Sequence, residues 1–159
     1  MKKIIYLISF FLIVGCNGYK PIFSKKNVNY FIADIEITKN NKVSREIKKK
    51  LQIYKNKDYR KKAYFLKINS NKEDLIVSKD SKGNPKIYQM TIRVDIEIIE
   101  KEKRHYFNTD RLVSTMNFVE NFNYNNQTSK LDLNRYKKNI EENLTNKIYE
   151  NVILKLQTL

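Results

Sequence analysis

The chain has 159 residues, with 32 Lys and Arg against 17 Asp and Glu, a formal net charge of +15, and 41% hydrophobic residues. That length and apolar content suffice for one domain with a real core and exclude a disordered polyelectrolyte. A single cysteine excludes an internal disulfide, and three glycines leave no glycine-rich phosphate loop.

Lys2 and Lys3 precede an apolar run over residues 4–14, and Gly15 and Cys16 follow. This is the three-part pattern of an export signal. The run is shorter than the roughly 20 apolar residues that a transmembrane helix needs, and no later stretch approaches that length. Ile13-Val14-Gly15-Cys16 resembles the lipobox of bacterial lipoproteins, in which the thiol is acylated and the signal is cut before the cysteine. A thioether needs a thiol, so the sole cysteine is the one residue able to serve. The expectation is a signal peptide over residues 1–15, lipidation of Cys16, a lipidated tether over 16–30, and a single domain over 31–159. Two or three acyl chains anchor stably where one binds only marginally. Asn17, rather than Asp, follows the cysteine; by analogy with lipoprotein sorting this favours the outer membrane, with the domain facing the periplasm.

In the domain, Phe31, Ala33, Ile35 and Ile37 alternate with Asp34 and Glu36, the mark of a strand with one buried face. Asn40-Asn41 offers a helix cap. Val43, Ile47, Leu51 and Tyr54 then share one helical face, and the helix is expected to end at Asn56-Lys57-Asp58. A second strand is predicted over residues 63–70, continuing irregularly to 77. Residues 79–86 read as a turn by their Gly, Asn and Pro content. Tyr88, Met90, Ile92, Val94, Ile96 and Ile98 alternate with Gln89, Thr91, Arg93, Asp95 and Glu97, the clearest strand in the chain. Residues 100–103 are predicted as a charged turn and 105–119 as a fourth strand. Residues 120–130 read as an Asn-rich loop. Ser129 or Asp132 can cap a last helix of roughly 25 residues, whose stripe is Leu133, Tyr136, Ile140, Leu144, Ile148, Val152 and Leu156. The order β-α-β-β-β-α, with one apolar sheet face and two amphipathic helices, predicts an α+β two-layer sandwich in which two helices cover one face of a four-stranded sheet.

Catalytic chemistry is not indicated. His105 is the only histidine and sits in a strand pattern, no Cys/His cluster suits zinc, and no nucleophile–base pair has the spacing for catalysis. A non-enzymatic protein without metal or cofactor is expected. The positive charge suits a phosphate-rich partner or reflects a Lys-, Asn- and Ile-rich composition. Export removes the chain from nucleic acid, so none is expected as a partner.

The parts together resemble the LPS-assembly lipoprotein (LptE) family. Cys16-Asn17-Gly18-Tyr19-Lys20-Pro21-Ile22-Phe23 is similar to the family's cysteine-Gly-aromatic start, with Asn17 interposed. Gly83, Tyr88-Gln89-Met90 and the following strand resemble its central hairpin, and residues 144–156 its last helix. The resemblance implies an outer-membrane lipoprotein that plugs and supports an LptD-like β-barrel and binds lipopolysaccharide during its insertion into the outer leaflet. It also implies binding by basic residues near the hairpin and the start of the last helix; here the candidates are Lys82, Lys86 and Lys130. Lys82 and Lys86 flank Gly83, where a phosphate is approached without desolvating a core. The alternative is another periplasm-facing lipoprotein, a ligand carrier or an outer-membrane assembly factor.

Overall fold

The structure, a computed structural model, describes residues 30–55, 62–104, 107–127 and 129–159. Cys16, the signal, all of the tether before Tyr30, residues 56–58 and His105 lie outside the described residues.

Four strands and two helices follow in the order β-α-β-β-β-α: β1 (Tyr30–Ile37), α1 (Lys42–Leu51), β2 (Lys62–Lys79), β3 (Pro85–Arg104), β4 (Phe107–Asn125) and α2 (Lys130–Leu156). A 3-10 turn, Gln52–Tyr54, extends α1. The strands lie side by side in chain order. β1 runs parallel to β2, from Tyr30 opposite Lys62 to Ile37 opposite Ile68, and the other two pairings are antiparallel. A parallel pair needs a crossover, which carries α1 across one sheet face. α2 lies on that same face, giving the two-layer α+β sandwich.

The alternation in β3 sorts the faces as expected. Met90, Ile92, Val94, Ile96 and Ile98 are buried beneath the helices, and Tyr88 is partly buried against the same core. Ile32, Ile35, Val43, Ile47, Leu51, Leu66, Ile68 and Ile148 complete its centre. Burial along α2 is graded. Ile148 and Val152 are fully enclosed, Ile140 and Leu144 nearly so, and Tyr136 is 37% exposed.

The strands are longer than their sequence pattern indicates. Residues 100–103 are not a turn: β3 continues to Arg104 and pairs with β4 throughout. Residues 121–125 are not a loop either. Asn121 to Asn125 pair with Thr91 to Ile87, and ladder hydrogen bonding overrides the poor strand propensity of asparagine. The turn is tighter than residues 79–86, since Lys79 already pairs with Pro85. β4 alternates unevenly because of a bulge. Ser114 opposes Ile98 and Leu112 opposes Ile99, so Val113 is an extra residue that flips the faces.

Polar groups pin the centre. Asn41 caps α1, its Oδ1 accepting from the Ser44 amide at 2.9 Å and from Ser70 Oγ at 2.7 Å. Its Nδ2 donates to the Ser70 carbonyl at 2.8 Å. Ser44 Oγ lies 2.7 Å from Ser70 Oγ. Since the Ser70 proton is used on Asn41, Ser44 is the donor in that bond. Beside this network Glu141 of α2, buried, reaches Lys42 of α1 at 2.9 Å and Lys72 of β2 at 2.5 Å. One carboxylate thus joins three elements.

Candidate functional site

The end of the molecule farthest from Tyr30 carries all three lysines picked out by the sequence. Lys82 sits on the β2–β3 turn, Lys86 at the start of β3, and Lys130 at the start of α2. The turn is built by Asp80. Its amide donates to the Asn84 carbonyl at 2.8 Å, and its Oδ1 accepts the amides of Lys82 and Asn84, each at 2.8 Å. The backbone and side-chain N–H groups of Asn84 hold this carboxylate below its usual pKa. Gly83 has φ +84, a left-handed conformation that side chains rarely adopt.

The other two lysines are brought alongside by the end of β4. The Asn126 amide donates to the Lys86 carbonyl at 3.0 Å, and Asn126 Nδ2 to the Pro85 carbonyl at 3.2 Å. Three residues later Ser129 caps α2, its hydroxyl accepting from the Leu131 amide at 3.2 Å. Thus a turn, a strand start and a helix start converge. Lys82, Lys86 and Lys130 are exposed, and none is paired with a carboxylate among the described residues.

Sequence reasoning missed what holds this end together. Lys137 of α2 binds Asp74 of β2 at 2.7 Å, its ammonium 4.9 Å from the Tyr88 ring centre and 5.8 Å from that of Tyr124. Tyr88 and Tyr124 stack at 5.4 Å, and Tyr136 meets Tyr124 edge-on at 6.0 Å. The Tyr124 hydroxyl donates to Asp74 at 2.5 Å. Burial, and then its bond to Asp74, push that phenol upward and keep it neutral. The available signal was the placement of Tyr88 and Tyr124 on the inward parity of paired strands, with Tyr136 on the helical stripe. Such aromatic pairs contribute about 0.5–1.5 kcal/mol beyond area burial.

Among the open grooves that flank the helices, two have apolar walls. One, of about 490 Å³, runs between α1 and α2 under Lys49, Lys50 and Lys138, with Ile53 and Tyr149 in its wall. The other, of about 300 Å³, lies between β4 and α2. Among the described residues no cluster of His, Cys, Asp and Glu is placed to hold a metal ion, and no helix is long and apolar enough to cross a membrane.

No family model matches the chain, and no curated protein does. Solved structures do. Rare lipoprotein B from Shewanella oneidensis superposes with a TM-score of 0.56 at 11% identity, over 79% of this chain and 94% of that one. Uncharacterized lipoprotein B from Nitrosomonas europaea gives 0.52 at 11%, over 88% of each chain. A lipoprotein from Caulobacter crescentus gives 0.52 at 11%, over 78% and 88%. At such identities the likeness establishes the fold: this β-α-β-β-β-α sandwich is one that solved bacterial lipoproteins also adopt.

Proposed function

We propose that this chain is a non-enzymatic lipoprotein of the outer membrane, anchored through Cys16, that binds lipopolysaccharide and supports a β-barrel translocon of the LptD kind. The observation that carries the reading is that Lys130, distant in sequence, comes to the same end of the fold as Lys82 and Lys86, and that among the described residues none of the three has a carboxylate partner. Lipopolysaccharide presents phosphates, and Lys meets phosphate as a mobile point charge. Isolated exposed charges are screened within about 8 Å at physiological salt, so only a cluster gives measurable binding. The outer face of the sheet, uncovered by helices, sets Gln89, Arg93, Asp95 and Glu97 beside exposed Leu75, Leu112 and Val119, a mixed surface open to contact with a barrel lumen.

The test replaces Lys82, Lys86 and Lys130 together by Gln and measures lipopolysaccharide binding. A control replaces Lys48, Lys49 and Lys138 on the helices. Selective loss in the first variant supports the site; equal loss in both means that overall charge does the binding. Mass spectrometry of the mature N-terminus tests Cys16: an unmodified thiol, or cleavage elsewhere, removes the anchor. Capture of the acylated protein from outer membranes tests the partner, and the absence of a large β-barrel removes that part of the reading.

A further inference from the structure

Burial along α2 falls toward its N-terminal end, where a gap opens between the helix and the edge strand at Phe122, although Tyr124, the next inward residue of β4, stays covered. Phe122 opposes Met90 in the ladder and therefore points toward the helix layer. Met90 is 1% exposed, yet Phe122 is 45% exposed. Tyr136, on the core stripe of α2, is likewise only partly covered. Between them opens the groove of about 300 Å³, floored by Ile140 and Leu144 and rimmed by Asn139 and Asn143. Among the described residues no charged side chain lines it, in a chain that is 31% charged. Single exposed apolar residues are ordinary on any surface. Here two of them, Phe122 and Tyr136, face each other across one cleft over the buried Ile140 and Leu144, at the scale of a small-ligand site, and that is a binding feature.

Position selects the occupant. Lys130 precedes Tyr136 by six residues, about 9 Å along the helix, and the groove follows α2 from Tyr136 to Leu144 for about 12 Å more. Leu131, 70% exposed, stands beside Lys130 at the same end. A cation therefore heads an uncharged, apolar channel. That is the order of groups in an anionic amphiphile, with a phosphate first and a hydrocarbon chain behind it. A phosphate-bearing ligand without a chain uses the lysines and leaves the groove empty.

We infer that the β4–α2 groove takes a fatty acyl chain of lipopolysaccharide while Lys82, Lys86 and Lys130 meet its phosphates. This rests on the function proposed above and extends it: recognition is of the acylated lipid, not of its charge alone. Phe122, Tyr136, Ile140 and Leu144 then set specificity for the apolar part.

The experiment measures binding of intact lipopolysaccharide and of its deacylated, still phosphorylated form. It compares the wild-type chain with Phe122→Ser, which removes one wall, and Asn143→Trp, which fills the groove from an exposed rim position. Circular dichroism checks that both variants stay folded, and Asn143→Trp disturbs no buried residue. The expected result is a loss of about tenfold or more for the intact lipid in both variants. The deacylated form should bind all three proteins alike, and more weakly than the intact lipid binds wild type. Unchanged binding of the intact lipid by Asn143→Trp overturns the inference and leaves the lysine site standing. If the wild-type chain binds neither form, the lipopolysaccharide reading itself falls and the groove loses its occupant with it.

Discussion

Replacing Glu141 by Gln keeps the shape of the side chain and removes only its charge. Glu141 is buried, its side chain 7% exposed, and it faces two lysines whose side chains are each 42% exposed. Burial raises its pKa, but the hydrogen bonds and charges of Lys72 and Lys42 outweigh burial and leave it below the ordinary 4.5. The ionised form is thus the one the fold favours. A fully buried pair broken on one side costs about 3–5 kcal/mol, because a charge is stranded. Here the stranded lysines turn to water, and exposed pairs are each worth only about 0.2–1 kcal/mol. The expected loss at pH 7 lies between these, about 1–2 kcal/mol, or roughly 3–8 °C in Tm for a domain of this size. Urea unfolding followed by circular dichroism reads it directly. The sign with pH follows from the lowered pKa. The contribution is complete above the unfolded-state value and disappears as pH falls through the folded-state value. Wild type and variant should therefore converge in acid, as pH falls below the ordinary value of 4.5 and through the folded-state value. Equal midpoints at pH 7, or a gap that persists undiminished at pH 3, would refute the reasoning.

Val94→Asp and Ile140→Asp each place an unpaired charge among side chains that are 0% and 5% exposed, and each should cost several kcal/mol in thermal or urea unfolding. Normal stability of both variants would mean that the sheet faces are reversed. Asn41→Ala removes the cap of α1 and the bonds to Ser70, and should cost about 1–2 kcal/mol; a loss below about 0.5 kcal/mol would show that Ser44 and Ser70 satisfy each other without it. Gly83→Ala meets no neighbour within 4 Å, so its cost is backbone strain at φ +84, about 1 kcal/mol. Tm measurement checks this, and the lipopolysaccharide binding proposed above should survive because Lys82 remains on the turn.

Where one physical rule dominated, the sequence was readable. β3 is covered on one face only, so its alternation from Met90 to Ile98 is clean. The stripe of α2 and the caps at Asn41 and Ser129 were legible for the same reason, since each depends on residues close in sequence. Strand length was not, because it is set by the neighbour. β2 extends to Lys79, and β4 to Asn125, because each stays paired with β3 to that end, across irregularities at Ser78 and Val113. Val113 broke the period of β4 through a bulge that no local composition announces. The site divides in the same way. Lys82, Lys86 and Lys130 are candidates through the family resemblance, and their placement at one end depends on the Asn126 bonds and on where α2 starts. Ser44 and Glu141 are polar residues within helices that nothing in the local sequence marks; only the approach of Ser70 and Lys72 from β2, and of Lys42 from α1, gives them partners.

The separation of the two ends carries a mechanical consequence. The described chain begins at Tyr30 opposite Lys62, and β2 then runs 18 residues to Lys79 at the turn, about 60 Å of stiff ladder. A swing of only about 10° about the Tyr30 end moves the turn by roughly 10 Å, which is more than the distance over which its charges act in physiological salt. Leverage of this kind makes attraction at the tip steeply dependent on tilt. On the function proposed above, small constraints near Tyr30, at the opposite end from the lysines, then govern whether Lys82 is within reach of a phosphate at all.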